Sequence, residues 1–97
     1  MGYETKLKSK ETDDLFEAII SIRDMDDCYR FFDDLCTVKE IRAMSQRFEV
    51  AKLLLKKKTY SEIEEATGAS TATISRINRT LQFGADGYST VLSKMGE

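Results

Sequence analysis

The stretch Thr59–Gln82, TYSEIEEATGASTATISRINRTLQ, decides how the rest of the chain is read. Thr59 precedes a short helix and Glu62 follows three residues later, the spacing at which hydroxyl and carboxylate satisfy each other's free backbone N–H groups. Ile63 and Ala66 supply the apolar face of that helix. Gly68 stands where the chain must turn through a left-handed conformation, which glycine adopts without a Cβ penalty. Ser70 then caps a second helix, whose Ile74, Ile77 and Leu81 recur at spacings of 3 and 4 and so share the inward face. The pattern predicts a helix-turn-helix over residues 59–82.

Burying those three residues leaves Thr71, Ala72, Thr73, Ser75, Arg76 and Arg79 pointing outward. Small residues let a helix backbone come close to a DNA major groove, hydroxyls bond phosphates or either base type, and arginine forks onto guanine. Base contacts are expected from Thr71, Ala72, Ser75 and Arg76. Phosphate contacts are expected from Ser70, Arg79 and Lys58, and either kind from Thr73. A glycine turn between two helices also occurs in ordinary bundles. Two caps together with a Ser/Thr/Arg face favour double-stranded DNA as the partner.

Upstream, Thr37 opens the longest helix, about 18 residues, with Glu40 at capping-box spacing. Ile41, Met44, Phe48, Ala51 and Leu55 follow a 3-4-3-4 spacing, and Val50 and Leu54 widen the stripe. Lys56, Lys57 and Lys58 end this helix, placing three cations beside its negative C-terminus and just before the motif. Further upstream, Asp24 caps a helix whose buried face is Cys28, Phe31, Phe32 and Leu35. Before it, Thr12 or Asp13 caps a helix carrying Leu15, Phe16, Ile19, Ile20 and Ile22. Residues 1–11 are polar, lysine-rich and unpatterned, and read as a flexible arm. Downstream, Gly84 stops the second helix of the motif, and Tyr88, Val91, Leu92 and Met95 lie on one face of a last short helix. The organisation predicted is an arm at 1–11 and a single helical domain at 12–97, all-α, with six helices.

The chain has 97 residues, with no proline, histidine or tryptophan. Its net charge of −2 disguises an asymmetry: residues 1–40 hold 6 Lys/Arg against 11 Asp/Glu, and residues 41–97 hold 9 against 6. An acidic first half and a basic second half fit DNA engagement by the second half alone. Cys28 and Cys36, eight apart, would sit about 12 Å apart along a helix, too far for a disulfide. Two cysteines without histidine also make no zinc site, so no metal or cofactor is expected. The usual acid–base and nucleotide chemistry lacks its residues. Neighbouring carboxylates such as Asp33–Asp34 diverge by about 100° on a helix and form no dyad. With no signal peptide or membrane span in its pattern, the chain is expected in the cytoplasm. Six helices with wide apolar stripes exceed what so short a monomer buries, so a homodimer built largely from the N-terminal helices is expected.

The stretch CYRFFDDLCTVKEIRAMSQRFEVAKLLLKKKTYSEI, the following TGASTATISRINR and the FGADGY tail resemble the YerC/YecD family, small bacterial proteins related to the tryptophan repressor. The resemblance runs from about Asp14 to Leu92. It implies an all-helical, intertwined dimer acting as a DNA-binding transcriptional regulator. It also implies that Thr37, Arg47, Thr73 and Arg76 match the positions that hold the amino-acid corepressor in the tryptophan repressor. The glycine that follows the recognition-helix arginine there is Ile77 here, which fills the room a ring would need. Tryptophan is therefore not expected as a ligand. The competing reading is a protein-interaction or assembly module that keeps the fold without reading DNA.

Overall fold

The structure, a computed structural model, describes residues 2–97. Among these it has six α-helices and no strand: α1 Lys10–Ser21, α2 Met25–Leu35, α3 Val38–Leu55, α4 Tyr60–Thr67, α5 Thr71–Phe83 and α6 Gly87–Lys94. Two compact units divide the chain, the first ending at Thr37 and the second spanning Val38–Glu97.

In the first unit, α1 begins earlier than its sequence pattern suggests. Ser9, rather than Thr12 or Asp13, is the cap, with its Oγ accepting from the Thr12 N–H at 3.0 Å. Ion pairs Lys8–Asp13 at 2.7 Å and Lys10–Asp14 at 2.8 Å add to this first turn. Lys10 and Glu11 thus belong to the helix, not to the arm. Asp24 caps α2 as expected, accepting from the Asp27 N–H at 2.8 Å. The rings of Phe31 and Phe32 meet edge to face, 5.4 Å between centroids. Cys28 and Cys36 are free thiols, and Cys36 sits at the C-cap of α2 rather than inside it. Neither α1 nor α2 fully buries a residue. Phe16, Ile20, Met25, Tyr29 and Leu35 stay exposed, Ile20 to 78%.

The second unit is built on α3, which packs against α4, α5 and α6, while α4 also packs on α5. Its core joins Val50 and Ala51 of α3, Ile63 of α4, Ala69 of the turn, and Ile74 and Ile77 of α5. Leu53, Leu54, Tyr60, Leu81 and Tyr88 pack around them. One expectation is corrected here. Ala66 is exposed, and the small residue that enters the core is Ala69, beyond the turn. A two-turn helix offers one full inward position, and Ile63 takes it. On α6 Leu92 is buried and Tyr88 half-buried, while Val91 and Met95 are exposed on the same face. On α3, Met44 and Leu55 likewise stay exposed. An apolar groove of about 430 Å³ runs between Phe48, Thr80, Ala85, Gly87, Tyr88 and Val91.

Candidate nucleic-acid interface

The turn between α4 and α5 is fixed from both sides. At the start of α4, Thr59 Oγ1 accepts from the Glu62 N–H at 3.1 Å, and Glu62 Oε1 accepts from the Thr59 N–H at 2.9 Å. The Thr59 backbone and hydroxyl donors, with the charge of Lys58 beside them, hold the Glu62 carboxyl below its ordinary pKa. Between the helices, Gly68 has φ 74° and ψ 4°, the left-handed geometry the sequence requires. Thr67 Oγ1 donates to the Ile63 carbonyl at 2.7 Å and accepts from the Ala69 N–H at 3.1 Å, bridging helix and turn. Ser70 caps α5: its Oγ accepts from the Thr73 N–H at 3.1 Å and donates to Thr73 Oγ1 at 3.1 Å. At the far end, Gly84 is demanded by space, since a Cβ there would lie 2.5 Å from the Thr80 carbonyl oxygen.

This frame sorts the side chains of α5. Ile74 and Ile77 are locked in the core, so the opposite face must point outward. Thr71, Ala72, Ser75, Arg76 and Arg79 are all exposed, and Thr73 is half-buried. Arg76 and Arg79 line one open hollow of about 290 Å³ together with Thr80, Phe83 and Gly84. Phe83 is 81% exposed beside these arginines, a position that sequence reasoning does not single out. The spacing of 76, 79, 80 and 83 on one helix face is the available signal.

Ser70 remains at the surface, but its hydroxyl is engaged in capping. Lys58 is exposed just before α4, and Lys57, two residues past the end of α3, has φ 66°. Lys56 turns instead to Glu97, at 3.3 Å. One further bond crosses the turn: the Thr71 hydroxyl donates to Glu64 Oε2. Of the four residues matched to a corepressor site, Thr37 belongs to the first unit, and Arg47, Thr73 and Arg76 belong to the second. Ile77, next to Arg76, is 3% exposed.

Comparison with known proteins agrees along nearly the whole length. The family model of the Trp repressor protein matches residues 10–96. The uncharacterized protein YerC of Bacillus subtilis (strain 168) is 53% identical over 92 residues, covering 95% of this chain and 88% of its own. The crystal structure of a candidate Trp repressor from Staphylococcus aureus superposes with a TM-score of 0.90 at 50% identity, over 94% of this chain and 91% of that one. A TrpR-like protein from Eubacterium eligens ATCC 27750 gives a TM-score of 0.90 at 55% identity, over 94% of each chain.

Proposed function

The chain belongs to the Trp repressor protein family, and we propose that it is a homodimeric, sequence-specific DNA-binding regulator, a repressor, acting in the cytoplasm. One observation carries this reading. The exposed face of α5 bears Thr71, Ala72, Ser75, Arg76 and Arg79 on a helix whose opposite face is locked into the core and whose start is fixed by a double-capped turn. Such a face enters a major groove without losing its register, because the scaffold, and not the DNA, sets the helix position.

Within the proposed interface, Arg76 is the guanine reader, with Thr71, Ala72 and Ser75 against neighbouring base edges. Arg79, Ser70 and Lys58 meet phosphates, and Thr73 lies between the two sets. No helix among the described residues is long and apolar enough to cross a membrane.

Dimerisation is supported by surface that a lone chain leaves uncovered. The first unit holds Ile20 and Tyr29 at 78% and 67% exposure, and the second has the groove beside Phe48 and Tyr88. Large exposed apolar surface marks an interface in a water-soluble chain. A two-fold dimer would present its recognition helices to half-sites about 34 Å apart or a related spacing. Tryptophan is not proposed as its effector.

The experiment is selection and sequencing of genomic fragments bound by the purified protein across a salt series. A two-fold-symmetric site is expected, with log affinity falling by about 0.9 per phosphate contact for each tenfold rise in salt. An intact dimer that enriches no fragment would leave the protein-interaction module as the better reading.

A further inference from the structure

We infer that Glu64 and Thr71 together form an acceptor-only reader of one base edge, selecting cytosine through its exocyclic amino group. The inference rests on the DNA-binding reading above. Glu64 lies on α4 and Thr71 is the first residue of α5; the turn at Gly68 brings them together across seven positions. A carboxylate has no proton to give, so the Thr71 hydroxyl is the donor in their bond. Having placed its only proton there, Thr71 Oγ1 offers outward nothing but lone pairs. Glu64 Oε1 offers the same. Two acceptors, one of them charged, thus stand side by side at the leading end of the recognition helix, where Thr71 is exposed and Glu64 half-buried.

That pairing excludes most of what DNA presents. Phosphates are anionic and accept only, so these two side chains cannot anchor on the backbone. In the major groove guanine shows N7 and O6 and thymine shows O4, all acceptors facing acceptors. Adenine has an amino group but sets the N7 lone pair beside it. Cytosine alone offers the N4 amino group without a neighbouring acceptor on the same base, and a glutamate carboxylate is its natural partner.

A purely structural purpose for the bond is poorly served by this geometry. Each helix is already capped by another side chain, Thr59 or Ser70, and the turn is already tied by Thr67. The Glu64–Thr71 bond satisfies no backbone group.

The test is the same binding selection on the full chain, run with wild type, E64Q and E64A, with thermal melts of each. The amide introduced by E64Q keeps a carbonyl to accept from Thr71 and aims its amino group outward, so the corner becomes one donor beside the Thr71 acceptor. Wild type is expected to prefer cytosine at one position per half-site by about tenfold or more. E64Q should move that preference from cytosine to adenine at the same position, because a donor beside an acceptor matches adenine N7 and N6, and E64A should erase it, with melting temperatures unchanged. Uniformly tighter binding of both variants to every sequence, with preferences unaltered, would show charge repulsion alone and overturn the inference. So would a lowered melting temperature with unaltered preferences, which assigns the bond to structure. A wild type that selects no DNA site overturns the regulator reading and this inference together, and the wild-type arm alone reveals it.

Discussion

Gln46 on α3 donates its side-chain amide to the backbone carbonyl of Thr67 at 3.1 Å, so the spine of the second unit holds the last turn of α4 directly. A helix leaves its final carbonyls without intrahelical partners, and this bond satisfies one of them in a part-buried site. Replacing Gln46 by Ala should strand that carbonyl and cost about 1–3 kcal/mol in urea unfolding. Gln46→Glu is nearly isosteric but has no donor to offer. If the hydrogen bond matters rather than the packing, this second variant should be at least as unstable as the first.

Gly68 permits a test of backbone strain free of crowding. Its φ of 74° is left-handed, yet a Cβ built there would meet nothing within 4 Å. Gly68→Ala therefore carries only the conformational cost, about 1–2 kcal/mol. Gly68→Asn should recover part of it, because asparagine tolerates this region better. A loss well above this range would mean that the new side chain collides with something, contrary to the open space observed.

These positions also show which parts of the structure can be read in advance. The capping box at Thr59, the caps at Asp24 and Ser70, the left-handed Gly68 and the end of α5 at Gly84 all follow from residues within four positions of one another. Local chemistry decides them. The start of α1 is misplaced by pattern alone because Ser9, Thr12 and Asp13 are all competent caps and nothing local ranks them. Ala66 and Ala69 exchange roles because the inward direction beyond a two-turn helix depends on the turn that follows it. The bond between Glu64 and Thr71 is illegible for the same reason: it exists only once Gly68 has set the angle between α4 and α5. The outward face of α5 can be read because its complement, Ile74 and Ile77, is apolar at helical spacing.

The capping box makes part of the stability dependent on pH. Glu62 has its folded pKa lowered below the ordinary 4.5, chiefly by the Thr59 N–H, then by the Thr59 hydroxyl and the charge of Lys58. A carboxyl with a depressed folded pKa stabilises the native state fully above its unfolded pKa. That contribution fades as pH falls through 4.5 towards the lower folded value and is absent below both. Glu62→Gln should therefore flatten the acid side of the stability curve and converge with wild type at low pH. Thr59→Ala should lose about 1 kcal/mol near neutrality but show only part of that flattening, because it keeps the backbone N–H that does most to lower the Glu62 pKa. Unfolding curves collected at stepped pH values check both, and an unchanged acid slope in Glu62→Gln would refute the assignment.

Ile77 carries the expectation about the ligand. The resemblance to the tryptophan repressor places a glycine at this position next to the recognition-helix arginine, where an aromatic ring needs room. Here the side chain is 3% exposed and belongs to the cluster of Val50, Ala51, Ile63, Ala69 and Ile74. Removing it does not simply open a pocket; it leaves a hole in a core of few residues. Ile77→Ala should cost about 2–5 kcal/mol, a large share of the roughly 5–15 kcal/mol that such domains possess. Ile77→Gly adds about 1 kcal/mol for glycine inside a helix. Calorimetric titration of wild type with tryptophan should give no binding heat, and Ile77→Gly should be the least stable of the three proteins. Micromolar tryptophan binding by wild type would show that the ring finds space despite this side chain, and would return Arg47, Thr73 and Arg76 to consideration as its holders.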